Sequence, residues 1–396
     1  MRILIAATSN YIAFHGQAIF TINLAESLAR NGHTVMVVAE SEKGRPYSDL
    51  INGVHLEAVR SLNLNVFHPD TYFPLFPSMT AGKFLDKFQP DIVHIQDHYP
   101  LSRAMVIAAK RRGIKLVGTN HFMPENLAAY VPIVSRIKPI YNWVLWHWMR
   151  EVYDRLDAVA GPSMTAVKML KQVGLKPHAI PISCGVNTNL FHPIPTVNKL
   201  AWRANYGICS PCTVIFFVGR VDREKRLEMI IRSIGILNRG DIQFVIAGNG
   251  AAKAKLLALT HDLGLEKKVH FTGFIPNIDL PSVLNSIDIF IMPGDAELLS
   301  IASLQAMACA RPMLVADAVA LPELVTENEN GLLFRPRDIN DAVHCLAFLA
   351  DHPESWPAMG AASLKRVQVH SLEIIVHKYE ELYQRVLASK NFPEDK

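Results

Sequence analysis

"DIFIMPGDAELLSIASLQAMA", residues 288–308, passes without a break from an apolar run into a helical one. Its first seven residues read as a buried parallel strand, and the part from Ser300 onward reads as a helix with that serine as N-cap. Glu297 therefore falls in the loop at a strand's carboxyl end, where open α/β sheets bind ligands. Gln305, eight residues on, faces the same mouth from the first turns of the helix. A strand, loop and helix of this kind need parallel neighbours, and the rest of the chain supplies them.

Two alternating series are visible. The first runs through "RILIAAT", a helix "AIFTINLAESLARNG", "TVMVVA", "VHLEAV", "DIVHIQD", a helix "LSRAMVIAAKRRG", "KLVGTNH", a long helix from about 136 to 155, "DAVAGP", a helix to Gly174, and "HAIPIS". The second begins near 212 with "TVIFFVG" and continues with a helix 224–239, "IQFVIAG", a helix 251–263, "VHFTG", a helix 279–286, the quoted stretch, "PMLVAD" and more helices. Apolar β-branched runs alternating with helical periods mean βαβ units and parallel sheets covered on both faces. The fold class expected is α/β, with two doubly wound domains facing a cleft. A Pro- and Asn-bearing segment at 185–200 joins them. Expected boundaries are 1–190, 191–368 and a final helix within 369–396 that crosses back onto the first domain.

Bulk composition fits this frame. A chain of 396 residues, half hydrophobic and 19% charged, suits two globular domains. A net charge of +4 is too small to argue for nucleic acid, and leaves an anionic small substrate or an acidic membrane surface open. The opening "MRILIAATSN" reads as a strand without the apolar core of a signal peptide. No run reaches the roughly 18–20 apolar residues of a membrane span. Five cysteines, an odd number, fit a reducing cytoplasm, and "CSPC" at 209–212 reads as two ordinary thiols.

Candidate site residues fall at strand ends. His121 closes "KLVGTNH". Gly16 is the single glycine of the first βα loop, "SNYIAFHGQ", which is not a GxGxxG fingerprint but leads to helix amides that suit an anion. "VGRVDREKR" places Arg220 and Lys225 five apart just past a strand, which suits a diphosphate or equally a solvated charge run. "HIQDH" offers His94, Asp97 and His98, but His94 and Asp97 point to opposite faces of a strand, so no metal site is expected.

Four motifs together resemble the retaining GT-B glycosyltransferases of family 4 over nearly the whole chain. They are "VGRVDREKR", "ISCGVNTNLFHP", "AELLSIASLQAMACARP" and "ALPELVTENENGLLF". The resemblance implies two Rossmann-like domains, a nucleotide-sugar held by the second and an acceptor by the first. It also implies transfer with retention and no cofactor or metal. Position by position, Arg220 and Lys225 match the basic pair on the donor diphosphate. Glu297 matches the first acid of the Glu-x7-Glu motif on the donor sugar, His121 the histidine on the sugar's outer hydroxyls, and Gly16 a loop glycine near the phosphate. Gly219, Gly248, Asn249, Phe274, Ile275, Leu299, Ser300, Ile301 and Gln305 would line the donor pocket. A hexose from a UDP-sugar, or from GDP-mannose, is the expected donor. The family's chemistry uses the leaving phosphate as base, so no dedicated protein nucleophile is expected. A weak or silent paralogue and a sugar-nucleotide epimerase of the same architecture stay open.

The acceptor reading rests on "RIKPIYNWVLWHWMREVYDRL", residues 136–156. At about 100° per residue, Tyr141, Leu145, Trp148, Val152 and Leu156 form a core stripe. Trp143 and Trp146 fall opposite it, among Arg136, His147 and Arg150. Indole beside cations on an outer face suits a bilayer interface with anionic lipid. Family members that glycosylate lipids meet membranes through this domain. The expectation is a cytoplasmic protein, peripheral on the inner membrane face, with a lipid acceptor; a partner helix or subunit over the Trp pair, and a soluble acceptor, are the alternatives.

The resemblance also has departures. Leu298, Leu299 and Ser300 replace a glycine-bearing triplet, Cys184 replaces an Asn, and Gln305 stands where the second acid usually grips the nucleotide ribose. A carboxylate accepts from both ribose hydroxyls, whereas an amide offers one acceptor and one donor. The change weakens a binding contact by about 1–3 kcal/mol. Gln305→Glu should therefore stay active and bind donor about tenfold more tightly; unchanged or weaker affinity in a titration would place the ribose elsewhere.

Overall fold

A computed structural model describes residues 1–7, 16–64, 72–124, 138–208 and 211–388. The chain divides into two compact units, residues 1–184 with 372–396, and residues 185–371. The expected boundaries after 190 and 368 thus fall at 184/185 and 371/372.

In the first unit the strands are β1 (Arg2–Ala7), β2 (Thr34–Glu40), β3 (Tyr47–Ile51), β4 (Val54–Val59), β5 (Ser61–Asn63), β6 (Tyr72–Pro74), β7 (Ile92–Ile95), β8 (Lys115–Thr119), β9 (Ala158–Gly161) and β10 (His178–Pro181). Eight of them form one sheet in the order β10-β9-β8-β7-β1-β2-β4-β3, while β5 and β6 pair separately. All neighbours in the large sheet run parallel except β3 and β4. Chain order reverses direction between β1 and β7, so that is the sheet's switch point. The central strands are buried on both faces, which explains their unbroken Val/Ile character.

Strand β3 escapes the apolar pattern because it is a largely exposed edge. Its signal was the turn. Asn52 and Gly53 both have positive φ, 49° and 83°, and join strands whose register closes at Ile51 opposite Val54. This is the two-residue Asn-Gly hairpin, whose twist matches that of the strands. Four helices matter below: α1 (Gly16–Arg30), α2 (Pro77–Phe88), α3 (Pro100–Arg111) and α4 (Lys138–Tyr153). Of these, α2 was not anticipated.

The second unit carries β11 (Thr213–Val218), β12 (Ile242–Ala247), β13 (Val269–Gly273), β14 (Ile289–Met292), β15 (Met313–Ala316) and β16 (Gly331–Phe334). Its sheet is wholly parallel, in the order β13-β12-β11-β14-β15-β16, which puts the switch point between β11 and β14. The helix expected over 224–239 is broken: a 3-10 turn at Arg223–Lys225 precedes a helix at Leu227–Leu237, and Arg226 between them is left-handed at φ 51°. Cys212 is disulfide-bonded rather than an ordinary thiol. Among the described residues no helix is long and apolar enough to cross a membrane.

The last described helix, Leu372–Ala388, packs on α1 and β8 of the first unit. It brings two fully buried tyrosines. Tyr383 hydroxyl lies 2.8 Å from His94 Nδ1, and Tyr379 hydroxyl 2.9 Å from Thr119 Oγ1, which in turn lies 2.8 Å from His94 Nε2. Burial pushes the His94 pKa down to about 3, so the imidazole is neutral and structural. Tyr383→Phe leaves Nδ1 with no such partner and should cost about 1–3 kcal/mol. The check is a lower denaturant midpoint at unchanged slope.

Candidate active site at two strand mouths

In the second unit, the residues expected to act on a donor gather at the carboxyl ends of β11 and β14, on either side of the switch point. Arg220 and Lys225 follow β11, and Glu297 follows β14. Lys225 Nζ forms an ion pair with Glu297 Oε1, and both side chains are mostly buried, at 15% and 11% exposed. Enclosure on this scale strengthens the pair relative to a surface one. A second tie runs beside it. Arg226 Nε donates to Asp295 Oδ2 at 2.9 Å, Arg337 reaches the same carboxylate at 2.7 Å, and Asp295 N donates to Glu224 O at 3.3 Å. The left-handed Arg226 is what allows successive cations, Lys225 and Arg226, to reach two different acids of the β14 loop.

Arg220 lies further out, 40% exposed on its side chain, and meets Asp222 at 3.1 Å and Glu224 at 3.2 Å. Glu224 is buried, and burial raises its carboxyl above the usual range although Lys225 and Arg220 oppose the shift. Neither Glu224 nor Asp295 was singled out from the sequence. The available signal was an acid inside the basic run "VDREKR".

The helix after Glu297 begins as expected. Ser300 is its N-cap, and its Oγ accepts from Ser303 N at 3.1 Å. Gln305 is buried on that helix, Ile275 is buried after β13 and Phe274 beside it is half exposed. Leu299 and Ile301 are half-buried, and Asn249 is exposed and accepts from Lys253 Nζ at 2.8 Å. Gly248 has φ 128°, and a Cβ there would lie 1.9 Å from Gly219 O. Only glycine permits the ends of β11 and β12 to approach so closely.

In the first unit, His121 follows β8, and its Nε2 donates to Gln96 Oε1 at 3.1 Å. Its ring packs on Phe20 of α1 at 5.0 Å. Asp97, just past β7, accepts from Gln17 Nε2 at 3.1 Å. Gly16, the first residue of α1, is exposed, and the loop before it lies outside the described residues. Among the described residues no group of three or more His, Cys, Asp or Glu is placed to hold a metal.

Helix α4 corrects part of the acceptor reading. Trp143 is 67% exposed and stacks on His147 with centroids 5.5 Å apart. Trp146 instead turns inward, against the core and edge-on to Phe122 at 5.8 Å. Met149 and Tyr153 are fully buried, which widens the covered face beyond the expected stripe. Trp146, Met149 and Tyr153 stand at i, i+3 and i+7, a second stripe that the first unit's core also covers. Arg150 pairs with Asp154 at 3.2 Å rather than lying free beside the indoles. Arg136 lies outside the described residues.

Two family models match the chain, "Glycosyltransferase Family 4" over residues 14–190 and "Glycosyl transferases group 1" over residues 198–366. A GDP-mannose-dependent alpha-mannosyltransferase from Corynebacterium glutamicum is 25% identical across 98% of this chain and 90% of its own. A sulfoquinovosyl transferase from Arabidopsis thaliana is 26% identical across 71% of this chain and 54% of its own. Among solved structures, sucrose-phosphate synthase from Thermosynechococcus elongatus superposes with a TM-score of 0.80 at 19% identity, covering 98% of this chain and 99% of that one. The two doubly wound units and these matches define a glycosyltransferase. The chain belongs to family 4, with the GT-B fold.

Proposed function

We propose that the chain transfers a hexose, with retention of anomeric configuration, from a nucleotide-sugar to a hydroxyl of a membrane lipid. The observation that carries this is the Lys225–Glu297 pair at the β11/β14 switch point, with Arg220 alongside. A cation on one side of the crevice suits the diphosphate, and an acid on the other suits the hydroxyls of the sugar. Cleaving the sugar–phosphate bond develops negative charge on the leaving diphosphate, and fixed cations stabilise that charge in the transition state. The leaving phosphate takes the acceptor proton, so the protein supplies orientation and charge rather than a nucleophile. Gln305 takes the ribose.

The Corynebacterium relative is named for GDP-mannose, which moves the first choice of base from uridine to guanosine, with UDP-sugars second. A lipid acceptor is supported by the exposed Trp143 and by the neighbouring Ile140 and Val144, 65% and 48% exposed on the same helix. In this reading membrane contact falls on one edge of α4, narrower than the Trp pair suggested.

With GDP-mannose or a UDP-sugar as donor, Arg220→Ala and Lys225→Ala should each lower turnover of the folded protein by about 100-fold or more, the second with a lower denaturant midpoint as well because Glu297 is left unpaired. Near-normal turnover in both would sink the assignment, and wild-type donor hydrolysis or transfer would dismiss a silent paralogue. Liposome flotation tests the acceptor. Wild type should float with anionic vesicles at low salt and Trp143→Ser should bind more weakly; a wild type that stays in the bottom fraction would favour a soluble acceptor.

A further inference from the structure

Helices α2, α3 and α4 of the first unit enclose a groove of about 220 Å³, walled by Pro77, Pro100, Ala104, Ile107 and Trp148. Trp148, expected in the core stripe, is half-buried and lines this groove. The floor is His98, which is fully buried. Neither of its ring nitrogens has a hydrogen-bond partner in the protein; the ring packs against Trp148 and Phe122, with centroids 4.4 and 4.6 Å away. Burial holds the His98 pKa down to about 3, so the imidazole is neutral. Arg103, which also lines the groove, is tied to Glu151 at 2.8 Å. A lining without net charge favours an apolar ligand, since a buried unpaired charge would be costly. An apolar cavity of roughly 150 Å³ already holds benzene, so this one has room for a segment of hydrocarbon.

Two features favour an extended chain over a compact ring. Apolar side chains continue the lining into solvent. On α4, Ile140 and Val144 precede Trp148 at i−8 and i−4, on one helix face, and are 65% and 48% exposed. Beside Pro77, Phe76 and Met79 are 72% and 76% exposed. Phe76 is also left-handed, at φ 54° and ψ 49°. A residue before proline favours extended backbone, and a bulky side chain rarely tolerates positive φ. At that exposure little packing within the chain offsets the strain, which marks Phe76 for a role outside the fold. The groove's floor, in turn, adjoins the candidate site, because His98 directly follows Asp97 and Phe122 directly follows His121.

We infer that the groove between α2, α3 and α4 holds an alkyl or acyl chain, with Phe76 at its rim. Calling that chain the acceptor's rests on the proposed function, in which the acceptor is a membrane lipid. Chain binding is measured without turnover, and wild-type donor hydrolysis tests the function separately, so the two can fail independently.

The experiment is a calorimetric titration of the full chain with methyl, hexyl and octyl glucoside, each below its micelle-forming concentration. Each buried methylene should tighten binding about fourfold, so octyl should bind about tenfold more tightly than hexyl, and methyl not at all. Ile107→Glu puts a charge on the groove wall at a half-buried position and should weaken octyl glucoside binding at least tenfold. Phe76→Gly should weaken it at least threefold while Tm stays equal or rises, because glycine accepts the left-handed backbone; this variant decides the matter if Ile107→Glu does not fold. Wild-type affinity without chain-length dependence, or variants that bind like wild type, would overturn the inference. So would a lower Tm for Phe76→Gly, which would tie Phe76 to the fold. A wild-type dimer in light scattering that Ile107→Glu dissolves would make a second copy the occupant instead.

Discussion

Opposite charges on two loops far apart in sequence hold the second unit's ligand crevice in shape. At the switch point the helices after β11 and β14 leave on opposite faces of the sheet, and a single backbone bond, Asp295 N to Glu224 O at 3.3 Å, links the two loops. Lys225 with Glu297, and Arg226 with Asp295, supply the side-chain ties. Removing one partner would leave a mostly buried charge uncompensated, a far larger penalty than losing a surface pair. In the proposed function the same pairing gives way on donor binding, as the diphosphate takes the ammonium and the sugar hydroxyls take the carboxylate. The free pocket is thereby kept neutral without a permanent plug.

How much of the fold was legible depended on where each element's side chains point. Strands buried on both faces, such as β1, β11 and β12, read directly as apolar runs because their central positions are all buried. Edge strand β3 lacks that pattern, since water covers most of it, and only the Asn-Gly turn announced it. The continuous helix expected over 224–239 was a fair reading of local propensity that tertiary demand overrode at Arg226. Such breaks in local consistency concentrate at sites where the chain does chemistry.

Site residues were legible where strand ends fixed their place, as with Arg220, Lys225, Glu297 and His121. Their partners were not. Glu224, Asp295 and Gln96 matter through neighbours that only the sheet order brings together. Helix α4 exposes a different weakness of periodicity. A stripe argument assumes one covered face, whereas α4 is covered over a wider arc, which takes in Trp146 along with Met149 and Tyr153. The exposed surface is what that wider cover leaves over, and Trp143 lies within it.

The helix Leu372–Ala388 belongs to the first unit, although the whole second unit separates it from β10 in the chain. A ribosome therefore releases the strands of the first unit long before the segment that finishes it. At about 5–20 residues per second, synthesis of the stretch between takes roughly ten to forty seconds. Through that interval Ile375, Val376, Tyr379, Leu382 and Tyr383 are not yet present to cover their share of the core, and His94 lacks its tyrosine. The second unit has no such debt and can reach its native state first. Folding order then runs against chain order, and the nascent first unit is the part of this protein most in need of a chaperone.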